Sequence, residues 1–206
     1  MSAFHISPEK EIYAKGYRLI AGVDEAGRGP LAGPVIASAV ILPENWDIPG
    51  IADSKKLSAN KRERLFIEIY EQAKSVGIGI VYQREIEKIN ILQASLKAMQ
   101  LSLADLQFQT DYVLVDGIHS ISTMIPQSTI IKGDAISPSI AAASIIAKVT
   151  RDRMMVEYHD KYPRYNFAGN KGYGTKEHMF AIKRFGCCEI HRRTFRGVRE
   201  YIGRND

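Results

Sequence analysis

The chain alternates short apolar, β-prone runs with amphipathic stretches of helical period, and this constrains its fold more than any other feature. The runs are Tyr17 to Val23, Val35 to Leu42, Ile78 to Tyr82, Tyr112 to Val115 and Thr129 to Ile131, each with a buried-strand composition. Between the first two stands only the glycine-rich turn Glu25 to Pro34, so they read as a strand, a loop and a strand, and a mixed sheet is expected rather than a purely parallel one. Ser58 can cap a helix running to about Lys74, with Leu65, Ile69 and Ala73 one turn apart. Ile91 to Phe108 gives a second helix, and Pro138 starts a third, long one reaching about Tyr158. A loop rich in glycine and aromatics, Tyr165 to Tyr173, is followed by a helix from about Lys176 to Phe185 and a last short helix near Arg199. The expectation is an α/β fold: a central mixed five-stranded sheet flanked by helices, a single domain over 1–206, with residues from about 160 onward a basic helical extension.

Hydrophobic residues make up 45% and charged residues 25%, which excludes the disordered, collagenous and low-complexity classes. The longest apolar stretches, Leu31 to Leu42 and Ile136 to Ala147, are interrupted by proline or serine and fall short of the about 18 residues that read as a membrane span. Met1 to Lys15 has no apolar run followed by a small-residue cleavage site. A cytoplasmic protein without membrane association is expected. Cys187 and Cys188 are adjacent, too close for an ordinary disulfide, and without finger-type spacing elsewhere they are read as inert, small buried hydrophobes.

Charge is distributed unevenly. Residues 151–206 hold 13 of the 28 Lys/Arg but only 7 of the 23 Asp/Glu, so the positive excess lies in the last quarter. A localised basic surface suits a polyanion, because each neutralised phosphate releases counterions; a soluble basic tail is the plain alternative.

Acids recur where strands end. Asp24 and Glu25 follow the first apolar run, Asp116 ends Tyr112-Val-Leu-Val-Asp-Gly117, and Asp134 lies just beyond the fifth run in Thr129-Ile-Ile-Lys-Gly-Asp134. If these strands are neighbours, the carboxylates converge, and like charges so close repel unless protonated or bound to cations. Oxygen ligands without histidine or thiolate select Mg²⁺ or Mn²⁺ over zinc, and such ions can activate water against a phosphodiester. Each acid taken alone could instead be a turn residue or helix cap. Consecutive strand residues face opposite ways, so Glu25 is expected to orient water or a ligand while Asp24 and Asp116 are the stronger ligand candidates.

Gly27-Arg-Gly-Pro-Leu-Ala32 loosely fits a dinucleotide-binding pattern, but that motif should open a helix, and here Pro34 and Val35-Ile36 lead into a strand. Gly27 and Gly29 suit close backbone approach to a ligand, or a tight hairpin turn. Ser54, Lys55 and Lys56 precede a helix as a phosphate grip, or as solvated neighbours of a cap. Ser144, Lys148 and Asp152 form a polar stripe on the long helix opposite Ile146, which could equally be a salt-bridged solvated face. Glycines flank Tyr173 in Lys171-Gly-Tyr-Gly174, leaving its ring open to stack on a sugar or base, or placing it in the core. His119 and His178 lack partners at ligand spacing and read as polar surface residues, with His178 the better placed to assist a proton or phosphate.

Asp24-Glu-Ala-Gly-Arg-Gly-Pro30, Asp53-Ser-Lys-Lys-Leu57, Val115-Asp-Gly117, Lys132-Gly-Asp134, Ala143-Ser-Ile-Ile-Ala-Lys-Val-Thr-Arg-Asp152 and Lys171-Gly-Tyr-Gly-Thr175 together resemble the motifs of bacterial ribonuclease HII, in that family's order and over nearly the whole chain. The resemblance implies a ribonuclease H-like fold and an endonuclease that acts on RNA paired with DNA and cuts 5′ to a single ribonucleotide embedded in duplex DNA. It implies Asp24, Glu25, Asp116 and Asp134 as carboxylates of a Mn²⁺ or Mg²⁺ site. It further implies Gly27, Arg28 and Gly29 as a ribonucleotide-sensing loop, with Tyr173 packing on the sugar at the RNA–DNA junction. The related ribonuclease HIII carries a long N-terminal substrate-binding domain, whereas about sixteen residues precede the first strand here, so that subtype is not expected. Nor is a C-terminal tail for a sliding clamp. No obligate protein partner is evident, and a monomer is expected.

Overall fold

The structure is a computed structural model and describes residues 7–51 and 57–203. Its elements are α1 (Pro8–Ala14), β1 (Ile20–Ala26), β2 (Val35–Ile41), α2 (Ala59–Gln72), β3 (Ser75–Val81), α3 (Gln83–Ala104), β4 (Tyr112–Asp116), β5 (Gln127–Ile130), α4 (Pro138–Lys161), α5 (Phe167–Asn170) and α6 (Lys176–Phe185). Single 3₁₀ turns occur at Gly133–Ala135, Pro163–Tyr165 and Arg199–Tyr201.

The strands form one five-stranded mixed sheet in the order β3-β2-β1-β4-β5. β1 pairs antiparallel with β2, as the short glycine turn requires, and parallel with β4; β4 in turn pairs parallel with β5. β1 starts later than the sequence suggests and runs through Asp24, Glu25 and Ala26, so the first two acids belong to the strand rather than to the turn after it. β5 is partly exposed along its length, as an edge strand is, and lacks the buried character expected of it.

Ser58 caps α2 as expected, accepting from the Lys61 N–H. The second helix begins earlier than Ile91. α3 starts at Gln83 and breaks at Asn90 (φ 66°, ψ 167°), whose Oδ1 accepts from the Leu92 and Gln93 N–H groups and caps a second segment. The sequence periodicity therefore located that second segment alone. α3 also stops at Ala104, short of Phe108. The loop expected over Tyr165 to Tyr173 contains α5, and the segment after α6 is mostly irregular.

α4 lies against β1 and β2, with α2 beside it and α3 on the opposite face. Contact between α4 and β1 is close because Gly22 has no Cβ: one there would stand 2.1 Å from the Ser139 carbonyl carbon. Ile140, Ile145 and Ile146 of α4 are fully buried, and each contributes about 1.5–3 kcal/mol to holding the helix on the sheet. That fixes its polar stripe. A further apolar cluster, including Leu31, Met155, Tyr165, Phe167, Ile182 and Ile190, packs the C-terminal segments against the far end of α4 and the glycine turn. No helix among the described residues is long and apolar enough to cross a membrane.

Candidate active site

In the parallel pairing of β1 with β4, Ile20 lies opposite Tyr112 and Val23 opposite Val115. One step further along, Asp24 and Asp116 stand side by side, and since side chains alternate along a strand, both point away from the α3 face that Val23 and Val115 occupy. They face α4. Ser144, on that helix, hydrogen-bonds the Asp24 carboxylate, whose Oδ1 also accepts from the Glu25 N–H at 2.7 Å. Asp116 Oδ1 accepts from the Gly133 N–H at 2.7 Å, which anchors the turn carrying Asp134.

These groups open onto a cavity of about 450 Å³ lined by Asp24, Glu25 and Asp116, by the loop residues Ala26 to Gly29, by Ser144 and Lys148 of α4, and by Tyr173. Glu25 reaches it despite the alternation that separates it from Asp24, because β1 is ending; its carboxylate pairs with Arg28 Nη1 at 3.2 Å. Asp134 is buried on its 3₁₀ turn, and its side chain is not part of the cavity wall. Lys148 lines the cavity while bonding Asp152 at 2.7 Å, so the salt bridge expected of a solvated face is present at the edge of the cavity. Ser54, Lys55 and Lys56 lie outside the described residues.

Tyr173 is 46% exposed, which favours the open ring over a core position. A Cβ added at Gly29 would stand 3.7 Å from Tyr173 Cε1, so the tyrosine borders the glycine loop directly. The Leu31 N–H donates to the Gly172 carbonyl at 2.8 Å and ties the two loops together.

His178 is not on the surface. It is fully buried, and its partners explain why. The Cys188 N–H donates to His191 Nδ1 at 2.9 Å, which leaves the His191 proton on Nε2 to meet His178 Nε2 at 3.1 Å, and His178 Nδ1 then donates to the Tyr173 carbonyl at 2.8 Å. Burial lowers the pKa of both imidazoles, His191 to about 4. His119 is exposed as expected. Cys187 and Cys188 are free and partly buried, and burial pushes the Cys188 thiol up to about 12, in keeping with an inert group.

Electrostatics set the acids apart. The Asp24 carboxyl is held well above the usual range by burial and then by the charges of Glu25 and Asp116; burial likewise raises Glu25, with Arg28 opposing. The acids crowd one another in a cavity that basic side chains also line, and their all-oxygen donor set suits a hard divalent cation. Among the described residues no three His, Cys, Asp or Glu side chains are drawn together tightly enough to hold an ion unaided.

Three arginines at the site carry no assignment in the sequence reading. Arg62 and Arg151 line the cavity, and Arg192 is buried beneath the glycine loop. Arg151 lies within a motif that carries the family resemblance, which was a signal of sorts; nothing local marked Arg62 or Arg192.

The central mixed sheet flanked by helices, with Asp24 and Asp116 side by side on neighbouring parallel strands, places the chain in the ribonuclease H-like fold class. Comparison with known proteins makes this specific: the Ribonuclease HII family profile matches residues 21–198. Ribonuclease HII of Syntrophus aciditrophicus is 58% identical over 188 residues, covering 91% of this chain and 89% of that one. Among solved structures, the ribonuclease H2 of Pyrococcus horikoshii superposes with a TM-score of 0.75 at 28% identity, covering 90% of this chain and 97% of that one. Bst-RNase HIII, solved in complex with Mn²⁺, shares the fold with a TM-score of 0.67 at 16% identity, covering 90% and 69%. The chain belongs to the ribonuclease HII family, and with that membership comes ribonuclease H endonuclease activity.

Proposed function

We propose that this enzyme hydrolyses the RNA strand of RNA/DNA hybrids and cuts on the 5′ side of single ribonucleotides embedded in duplex DNA, serving ribonucleotide removal. The observation that carries the reading is the placement of Asp24, Glu25 and Asp116 in one cavity whose wall also includes Gly29 and Tyr173. Acids for the chemistry and a glycine–tyrosine border for the sugar thus share one space.

Asp24, Glu25, Asp116 and Asp134 would hold Mg²⁺ or Mn²⁺, which when bound supplies an activated water and neutralises charge on the phosphodiester. The protein's own groups do the rest. Asp24 and Asp116 fix where positive charge must sit, and Ser144 and the Glu25 N–H orient the Asp24 carboxylate. Glu25 orients a water or ligand, while Lys148 and Ser144 of α4, with Ser54, Lys55 and Lys56, grip the phosphate backbone. Gly29 lets a nucleotide approach the backbone closely, whereas the missing side chain of Gly27 makes room for the Arg151 guanidinium beneath the loop; Gly27 serves the ribonucleotide through its place in that loop, Arg28 holds Glu25, and Tyr173 packs against the ribose at the junction. The 2′-hydroxyl is the local difference between RNA and DNA, so it is the group this border must sense. Water attacks phosphorus directly and the 3′-oxygen leaves, giving 3′-hydroxyl and 5′-phosphate ends without a covalent enzyme intermediate.

The test is a duplex carrying one ribonucleotide, end-labelled and incubated with Mg²⁺, Mn²⁺ or chelator. A single metal-dependent cut 5′ to the ribonucleotide is expected. Binding without cutting would replace the reading with that of a basic duplex-binding protein.

A further inference from the structure

Arg151 and Arg192 are 1% and 0% exposed, yet both make their hydrogen bonds to carbonyl oxygens rather than to a carboxylate. Arg192 donates from Nη1 to the Arg28 carbonyl at 2.9 Å, from Nη2 to the Gly27 carbonyl and to the Pro34 carbonyl at 3.2 Å, and from Nε to the Gly33 carbonyl at 3.0 Å. Arg151 donates from Nε to the same Pro34 carbonyl at 3.0 Å, from Nη2 to the Ala32 carbonyl at 3.1 Å and from Nη1 to the Lys171 carbonyl at 3.0 Å. One side chain therefore grips both ends of the glycine turn. The other joins that turn to the segment bearing Tyr173.

Trans peptide geometry gives this grip a consequence. No peptide here is cis, so a carbonyl held inward turns the next residue's N–H outward. With the Gly27 and Arg28 carbonyls held by Arg192, the N–H groups of Arg28 and Gly29 are directed away from it, and neither has a hydrogen-bond partner among the described residues. Gly27 is at φ 100°, and a Cβ there would stand 2.2 Å from Arg151 Nε, so the loop is seated directly on the guanidinium. Burying two like-charged groups together is costly; burial, and next the Arg151 charge, bring Arg192 down to about 9. An apolar floor could have supported the loop without that cost. It could not have gripped carbonyls.

We propose that Arg151 and Arg192 form a buried clamp that fixes the Arg28 and Gly29 amides relative to Tyr173 and so sets how well the enzyme acts at a lone ribonucleotide. Both are positioning residues, and the proposal rests on the reading of Gly27–Gly29 and Tyr173 as the ribose-sensing border. A lone ribonucleotide offers one productive register, whereas a uniform RNA/DNA hybrid offers a 2′-hydroxyl at every step. A loosened border therefore penalises the first substrate more than the second.

The experiment measures kcat and KM for wild type, Arg192→Lys and Arg151→Lys on a duplex with one ribonucleotide and on a uniform hybrid, with thermal melts of each protein. Lysine keeps the charge but not the planar fork that spans several carbonyls. Misplacement of a positioning group by an ångström costs on the order of 10²-fold, so kcat on the single-ribonucleotide duplex is expected to fall about tenfold or more relative to the hybrid, with KM within about twofold. A purely structural role lowers the active fraction on both substrates equally and leaves their ratio unchanged, and that result overturns the clamp. If Arg192→Lys does not fold, the Arg151→Lys ratio decides in the same way. Failure of the wild-type enzyme to cut at the lone ribonucleotide would instead remove the reading of the border itself.

Discussion

Asp24 and Asp116 lie one residue beyond the Val23–Val115 pair of two parallel strands, 92 positions apart in sequence and adjacent in the sheet. This juxtaposition is a product of topology: the hairpin returns β2 to one side of β1, and β4 takes the other. Rigid, central strands carry the acids, while a loop and the start of a helix-rich segment carry the groups that would read the nucleic acid. Chemistry on strands and recognition on loops is the division that lets one be fixed while the other adapts.

Replacing Asp116 with Asn keeps an oxygen for the Gly133 N–H and removes the charge. Cleavage in Mg²⁺ or Mn²⁺ should fall by at least about 10²-fold, since even the outer partners of metal ligands act on a 10–100-fold scale. Circular dichroism should be unchanged. Near-normal turnover would remove Asp116 from the catalytic set.

Asp24→Asn should be inactive and more stable. Because the folded-state pKa of Asp24 is raised by burial and by Glu25 and Asp116, the ionised carboxylate destabilises the fold above its unfolded pKa; the penalty shrinks as pH falls below the raised value and is gone below the unfolded one. In chelator at pH 7–8 the variant should melt higher, by about 2–4 °C for each kcal/mol relieved. At pH near 4 the two proteins should converge. A variant that melts lower at pH 8 would contradict the repulsion argument.

Tyr173→Ala removes an exposed ring bordering Gly29. Stacking of this kind is worth about 1–3 kcal/mol, so the preference for a ribonucleotide junction should weaken by about tenfold while cleavage of a uniform hybrid changes less. Competition between the two substrates in one tube measures this, and an unchanged preference would relieve Tyr173 of the role.

The legible part of this protein was local. Apolar runs ending in acid gave the strands and the ligand candidates, and caps such as Ser58 gave helix starts. The hidden part depended on partners distant in the chain. Arg192 meets carbonyls at Gly27 and Arg28, more than 160 residues away, and no local pattern announces a buried guanidinium. His178 reads as polar surface until His191 and the Tyr173 carbonyl supply its hydrogen bonds. The first segment of α3 is hidden in the sequence because Asn90 interrupts the helical period while capping the second segment.

Glu9 tests how the N-terminal helix supports the sheet end. Its Oε1 accepts from Ser137 Oγ, Ser139 Oγ and the Ser139 N–H, at the first turn of α4, where the helix dipole favours an anion. Glu9→Ala leaves the Ser139 N–H without this acceptor and the two serine hydroxyls only each other, and should cost about 1–3 kcal/mol in urea unfolding, the penalty of a buried donor left unsatisfied. A loss below about 1 kcal/mol would show that water replaces the carboxylate.

Acid stability should report the buried imidazoles. His191 is pulled down to about 4, by burial first and the His178 charge second, and His178 is lowered by burial. An unfolded chain begins to take up protons near pH 6.5 while burial in the folded chain resists protonation of both rings, so the His191 contribution is present above about 6.5 and lost as pH falls toward 4. For His191 the loss is on the order of 3 kcal/mol across that window. Asp24 and Glu25 act in the opposite sense, so wild type must be compared with His191→Gln, which carries the same carboxylates. Urea unfolding of both at intervals from pH 7.5 to 4 should show the wild type losing stability more steeply. Parallel profiles would mean that the pair is solvated or that its protons move together without cost to the fold.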